Sequence, residues 1–252
     1  MREYFSRVRH HAYYTKKEWL ALLAVSVVSG FVFSFSKWGY VEFDARTGFQ
    51  NLILYSIYSF LTYFSIDFAR KLYAIRIGMR PEFKAWHLGL LIAVLVSFVS
   101  NGTMYVLFLS GFFIQRVEHL IYGRRETGFK IIDAAKIGFY GFLGGFIFCV
   151  LLSILVPHFP HLKEAMIVNF WIVLYTAIPL DILTRIGDKR APISNGTVVF
   201  TGSRTLSVFA LLLLALGYAS IFFVQALWFL IVVFFIALIG AAVWLYKNEL
   251  DI

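Results

Sequence analysis

The sequence predicts an all-α polytopic membrane protein, with about six transmembrane helices plus a re-entrant or membrane-associated element. Three observations carry that fold class. Hydrophobic residues make up 60% of the 252-residue chain and charged ones 15%, with a mean hydropathy of +0.79, far above a soluble globular average. Apolar runs long enough to cross a bilayer recur along the chain. Lys and Arg collect in the short connections between those runs, as topology determination requires. The formal charge of +9 is thus spent on orientation and on anionic lipid headgroups, and its distribution argues against nucleic-acid binding.

Residues 1–18 read as a basic, aromatic, cytoplasmic amino-terminal segment, and residues 19–246 as a single transmembrane domain. The first crossing is Trp19 to Phe35. No small-residue cleavage site follows it, so it reads as a retained signal-anchor. The second is Leu52 to Phe68, the third Ile137 to Val156 and the fourth Met166 to Leu183. The fifth and sixth, Leu206 to Phe223 and Ala226 to Tyr246, come from one apolar stretch too long for a single crossing. They predict a helical hairpin over 206–246, with 247–252 as a cytoplasmic tail. Trp19, Trp38, Tyr40, Trp86 and Tyr246 fall near the ends of runs, where an interfacial aromatic belt belongs. The single cysteine, Cys149, rules out an internal disulfide.

The run from Leu88 to Ile114 is interrupted by Ser100-Asn101-Gly102, a turn signal, and each half is too short to span. If it dips into the bilayer and returns, twenty of the 23 Lys and Arg lie on one side. Only Lys37, Arg46 and Lys163 lie on the other. That asymmetry favours six crossings with both termini cytoplasmic and a re-entrant element between the second and third. Irregular backbone at membrane depth needs protein or a water-filled cavity around it. The "SNGTVVFTGSRT" stretch, 194–205, permits a short hairpin or surface turn. Its NGT, like the one at Asn101, fits a glycosylation acceptor but falls where no modification is expected.

Ionisable groups inside apolar runs are expensive, which singles out Asp67 and Arg70 in "TYFSIDFARKLYAIRIGMR". Asn169 and Asp181 share the fourth crossing, with Pro179 loosening the backbone before the Asp. Both Asp residues fall at cytoplasmic ends of crossings, so Asp67, Arg70, Asn169 and Asp181 form the candidate polar cluster. The plainer reading has Arg70 and Lys71 opening the basic loop, with Asp67 neutralising one of them. Gly138, Gly141, Gly144 and Gly145 mark a face of the third crossing where another helix can approach closely.

These stretches resemble the site-2 proteases, the peptidase M50-like intramembrane zinc metalloproteases, over residues 50–185. In "IDFARKLYAIRIGMRPEF", Ala69, Ala74, Arg76 and Gly78 match the pattern that follows the family's His-Glu-x-x-His motif. Asn169 and "PLD" at Pro179 to Asp181 are similar to its second motif, and Lys136, Ile137 and Gly141 match a third. The resemblance implies a prokaryotic plasma membrane, archaeal ones included, and a groove that accepts a transmembrane helix. The same alignment puts Ile66 and Arg70 where the zinc-binding histidines belong and Asp67 where the catalytic Glu belongs. Zinc catalysis needs three protein donors and an open position, and isoleucine and a permanently charged guanidinium supply none. The expectation is a degenerate member: no catalytic residue, no metal and no cofactor, with Arg70 paired to Asp181 or Asp67 in the metal's place.

Such a chain is expected to bind the bilayer and other membrane proteins or transmembrane helices as a scaffold or regulator. A small transporter or channel is the alternative from another class, suited to a re-entrant element and intramembrane carboxylates. Residual intramembrane protease activity through an Asp67–Asp181 pair is a third reading. Arg70 opposes it, because a neighbouring cation keeps both carboxylates ionised.

Overall fold

The computed structural model describes residues 2–39, 43–116, 131–179, 192–224 and 229–249. Nine helices and one two-stranded ribbon appear among them, in the order α1 (Arg2–His11), α2 (Lys16–Ser34, extended by a 3-10 turn to Lys37), α3 (Ala45–Arg76), β1 (Met79–Ala85), α4 (His87–Val99), β2 (Ser110–Arg116), α5 (Ile131–Leu155), α6 (Leu162–Ala177), α7 (Asn195–Gly202), α8 (Arg204–Ala219, continued by a π-turn to Val224) and α9 (Phe229–Glu249). Four segments are long and apolar enough to cross a bilayer: Lys16–Lys37, Ala45–Arg76, Ile131–Leu155 and Arg204–Phe222. They correspond to the first, second, third and fifth predicted crossings and make the chain a membrane protein. The fourth corresponds to the 16 residues of α6, and the last to α9, whose described apolar stretch is Val232–Val243.

At 32 residues, α3 is about 48 Å long, well beyond the roughly 30 Å of a hydrocarbon core. Its buried side chains are Tyr55, Tyr58, Ser59, Thr62, Tyr63, Ile66, Asp67, Arg70, Lys71, Ala74 and Ile75, recurring every three to four residues along one stripe. That stripe is mostly polar, and α2 covers much of it in antiparallel register. Ser29 Oγ donates to the Tyr63 hydroxyl (3.3 Å), and Lys37 meets Tyr55 one end further along. Trp19 stacks on Phe60 and Phe64 at the opposite end.

The interrupted run is resolved into unlike halves. The first is α4. It ends in two 5→2 and 6→1 type bonds, Asn101 N–H to the Phe98 carbonyl (3.3 Å) and Gly102 N–H to the Ser97 carbonyl (2.9 Å). Asn101 and Gly102 take φ of 49° and 73°, left-handed values that this pair of residues tolerates. The chain then returns extended and pairs with itself, β1 against β2, from Met79↔Arg116 to Ala85↔Ser110. Trp86 N–H donates to the Leu109 carbonyl (2.8 Å), so the segment leaves and re-enters the bundle at one place. The ribbon departs from the all-α expectation. Strand period was hidden because Pro81 and Lys84 interrupt β1, and β2 sits within an apolar run.

The 194–205 stretch is also unlike its expectation of a hairpin or surface turn. Ser194 caps α7, accepting from Thr197 N–H (3.3 Å), and Ser203 caps α8 in the same way (3.2 Å). Asn195 to Val199 are buried. Two Ser caps nine residues apart overrule the β-branched composition between them. Ile193 bridges to Phe112, attaching this helix to the ribbon.

Candidate functional site

The site is built where the first turn of α2, the last turns of α3 and the β1–β2 ribbon meet. Thr15 and Glu18 form a reciprocal cap on α2: Glu18 N–H donates to Thr15 Oγ1 (3.2 Å) and Thr15 N–H to Glu18 Oε2 (2.8 Å). The other Glu18 oxygen, Oε1, accepts from Lys71 Nζ at 2.6 Å and from Phe83 N–H of β1 at 3.4 Å. One carboxylate thus ties together a helix start, a helix end and a strand.

Asp67 lies beside this pair, 3.5 Å from Lys71 Nζ and 3.6 Å from Arg70 Nη2. The Arg70 guanidinium packs 4.2 Å from the centroid of Phe112 on β2, and Lys71 Nζ sits 3.4 Å from that of Tyr14. Glu18, Asp67 and Lys71 are fully buried and Arg70 is 3% exposed. Within the buried part, Asp67 and Glu18 face Arg70 and Lys71. Arg80 reaches it from β1, 3.5 Å from Glu18 Oε2, while its Nη1 donates to the hydroxyl of exposed Tyr13 (2.8 Å). Burial and, next, the charge of Asp67 push the Tyr14 hydroxyl well above its ordinary range, so it stays protonated.

Arg70 and Lys71 are therefore not the start of a solvated basic loop. Asn169 stands apart from the cluster in which the sequence grouped it. Its Nδ2 donates to the Gly145 carbonyl (3.1 Å) and its Oδ1 accepts from the Tyr218 hydroxyl (2.6 Å), joining α5, α6 and α8. Asp181 lies outside the described residues, so its proposed pairing with Arg70 has no geometry here. Ile66 is 2% exposed and packs against Gly145.

The four glycines lie at close helix approaches. A Cβ on Gly144 would fall 2.5 Å from both the Ala69 Cβ and the Ser65 carbonyl of α3. One on Gly145 would meet Val173 at 2.5 Å. Those on Gly138 and Gly141 would meet α7, at Val199 (3.0 Å) and Asn195 (2.8 Å). A zinc site does not fit this centre. Ile66 offers no donor, Arg70 is a fixed cation, and among the described residues no three His, Cys, Asp or Glu side chains converge.

Glu18, Lys71, Arg80 and Tyr14 were missed from the sequence. The signals were present: Thr15-x-x-Glu18 is a capping box before an apolar run, and Lys71 follows Asp67 by four residues. At the far end of the same helix pair, Lys37 Nζ donates to Glu164 Oε2 (2.9 Å) and to Tyr55, whose hydroxyl donates to Glu164 (2.7 Å).

Fold and site together define a helical membrane protein with a buried ionic cluster at one end of its central helix pair. Comparison of the chain with family models, with curated proteins and with solved structures gave no match.

Proposed function

We propose that this chain is a non-catalytic integral membrane protein of site-2 protease-like arrangement, which binds a transmembrane segment of a partner protein as a scaffold or regulator. The observation that carries the reading is Arg70. At the position where the resembled family holds a metal ligand, this chain has a buried guanidinium packed on Phe112 and compensated by Asp67. A centre so arranged ties α3 to the ribbon and offers a metal-bound water no ligand set.

The expected groove lay between the second, third and fourth crossings, but α3 and α5 are in close contact there, through Gly144. A cleft of about 480 Å³ lies instead between α2 and α3, lined by residues that include Leu23, Val27, Leu52, Ile53 and Ile57. Its two serines turn inward on their own helices: Ser26 Oγ donates to the Leu22 carbonyl and Ser56 Oγ to that of Leu52, both at 2.6 Å. The cleft is thus apolar throughout and suits the side-chain ridge of a membrane helix. Exposed Lys16, Lys17, Arg76, Lys84, Lys136 and Arg204 support a reading in which the ribbon end is cytoplasmic, with six crossings and a re-entrant α4.

A photo-crosslinking residue at Val27 or Ile53, in native membranes, is expected to give one discrete adduct to a membrane protein. The same residue at Leu238, on exposed α9, is expected to give only lipid adducts. Equal patterns at both places sink the docking reading, and stoichiometric zinc in the purified protein sinks the non-catalytic one. The buried charges also favour a second reading, a small transporter. Ion or proton flux in proteoliposomes, lost in Asp67→Asn, is its test.

A further inference from the structure

Charge and hydrogen bonding part company in the ionic cluster. Asp67 and Arg70 balance in charge, yet Asp67 Oδ1 and Oδ2, Arg70 Nε and Nη1, and the Tyr14 hydroxyl meet no partner with hydrogen-bond geometry; the Tyr14 hydroxyl lies close to Asp67 without that geometry. These five atoms are half of the ten buried side-chain polar atoms without a partner among the described residues. The other five, on Trp38, Tyr58, Ser59, Asn195 and Ser220, belong to five separate residues. Asp67 stands 3.5 and 3.6 Å from its two cations, within ion-pair range and at or just past hydrogen-bond range.

We infer that Asp67, Arg70 and Tyr14 enclose an internal water site. An unpartnered carboxylate at the edge of a bilayer carries a large desolvation penalty, which a bridging water removes by donating to Asp67 while accepting from Arg70. The protonated Tyr14 hydroxyl supplies a further donor to the same molecules. The local balance of Asp67 against Arg70 selects the ligand. Arg70 and Lys71 repel a metal cation, Asp67 repels an anion, and a small neutral dipole satisfies both signs. Supply comes from the ribbon end, where half-buried Tyr14 and the partly exposed Arg80 side chain lie between the cluster and the surface. The inference stands on these contacts alone and is independent of the protease resemblance.

X-ray-pulse hydroxyl-radical footprinting of the intact protein in nanodiscs tests it, because radicals made from a trapped water oxidise the aromatic ring beside it. Phe112 and Tyr63 are each 1% exposed, but Phe112 lies against the Arg70 guanidinium, whereas the Tyr63 hydroxyl is engaged by Ser29. The expected result is oxidation of Phe112 with Tyr63 unmodified. Silence at both rings, or equal labelling of both, overturns the inference. In the double variant Asp67→Leu with Arg70→Met, which removes the polar atoms while keeping bulk, Phe112 labelling is expected to disappear. Labelling that persists in the folded variant also overturns it. If that variant does not fold, the comparison of Phe112 with Tyr63 in the unaltered protein decides alone.

Discussion

At one end of the α2–α3 pair, Glu18 and Lys71 meet at 2.6 Å with neither side chain exposed; at the other, Lys37 and Glu164 meet at 2.9 Å with side chains 33% and 44% exposed. Both link α2 to the rest of the bundle, and both add a tyrosine to the ion pair. Their energetics differ because their solvent differs. Water screens Lys37 and Glu164 and hydrates either one if the other is removed, so the pair contributes little. Glu18, Asp67, Arg70 and Lys71 have no bulk water to fall back on: removing one leaves its partner's charge buried and unpaired. Similar distances therefore describe an adjustable contact at one end and an obligatory one at the other.

Breaking the buried end sharpens this contrast most. Lys71→Met is expected to cost about 3–5 kcal/mol, read as a fall in the melting temperature of purified protein, and adding Glu18→Leu should recover much of it. The same design applied to Arg70 identifies its partner. Arg70→Met should lose a comparable amount, and recovery with Asp67→Leu but not with Asp181→Asn would assign the pair to Asp67. Additive losses in both doubles would show that Arg70 has neither partner.

Next in size is the packing between those ends. Gly144→Ala places a methyl group 2.5 Å from the Ser65 carbonyl of α3, and overpacking of this kind typically costs about 1–3 kcal/mol. An unchanged melting temperature would mean that α3 and α5 separate easily. Removing the cap alone, Thr15→Ala, should cost about 1 kcal/mol, since Glu18 keeps Lys71. The exposed end comes last. Glu164→Gln should change stability by less than about 1 kcal/mol, and by less still in high salt. A loss as large as that of Lys71→Met would erase the distinction between the two ends.

Much of the helical framework was legible because hydropathy acts locally. The predicted crossings Trp19 to Phe35 and Ile137 to Val156 lie almost wholly within the Lys16–Lys37 and Ile131–Leu155 segments. The turn at Ser100 to Gly102 was legible too, since Asn and Gly tolerate the backbone it requires. The ribbon was not, because Met79 to Ala85 carries Arg80, Pro81, Glu82 and Lys84, which read as a basic loop. Its strand form comes from pairing with residues about thirty positions later. The cluster was half legible: Asp67 and Arg70 declared themselves by polarity inside an apolar run, whereas Glu18 and Lys71 passed as ordinary charges beside basic segments.

The sequence by itself determined a membrane protein and its apolar helices. These follow from residue type and spacing, which transfer free energies and helical period convert directly into structure. Which charges lose their water was decided only by the tertiary structure. Lys71 and Lys37 both flank apolar runs, and no local rule separates them. One is covered by an antiparallel neighbour and a strand that arrive from elsewhere in the chain, and the other is left half open.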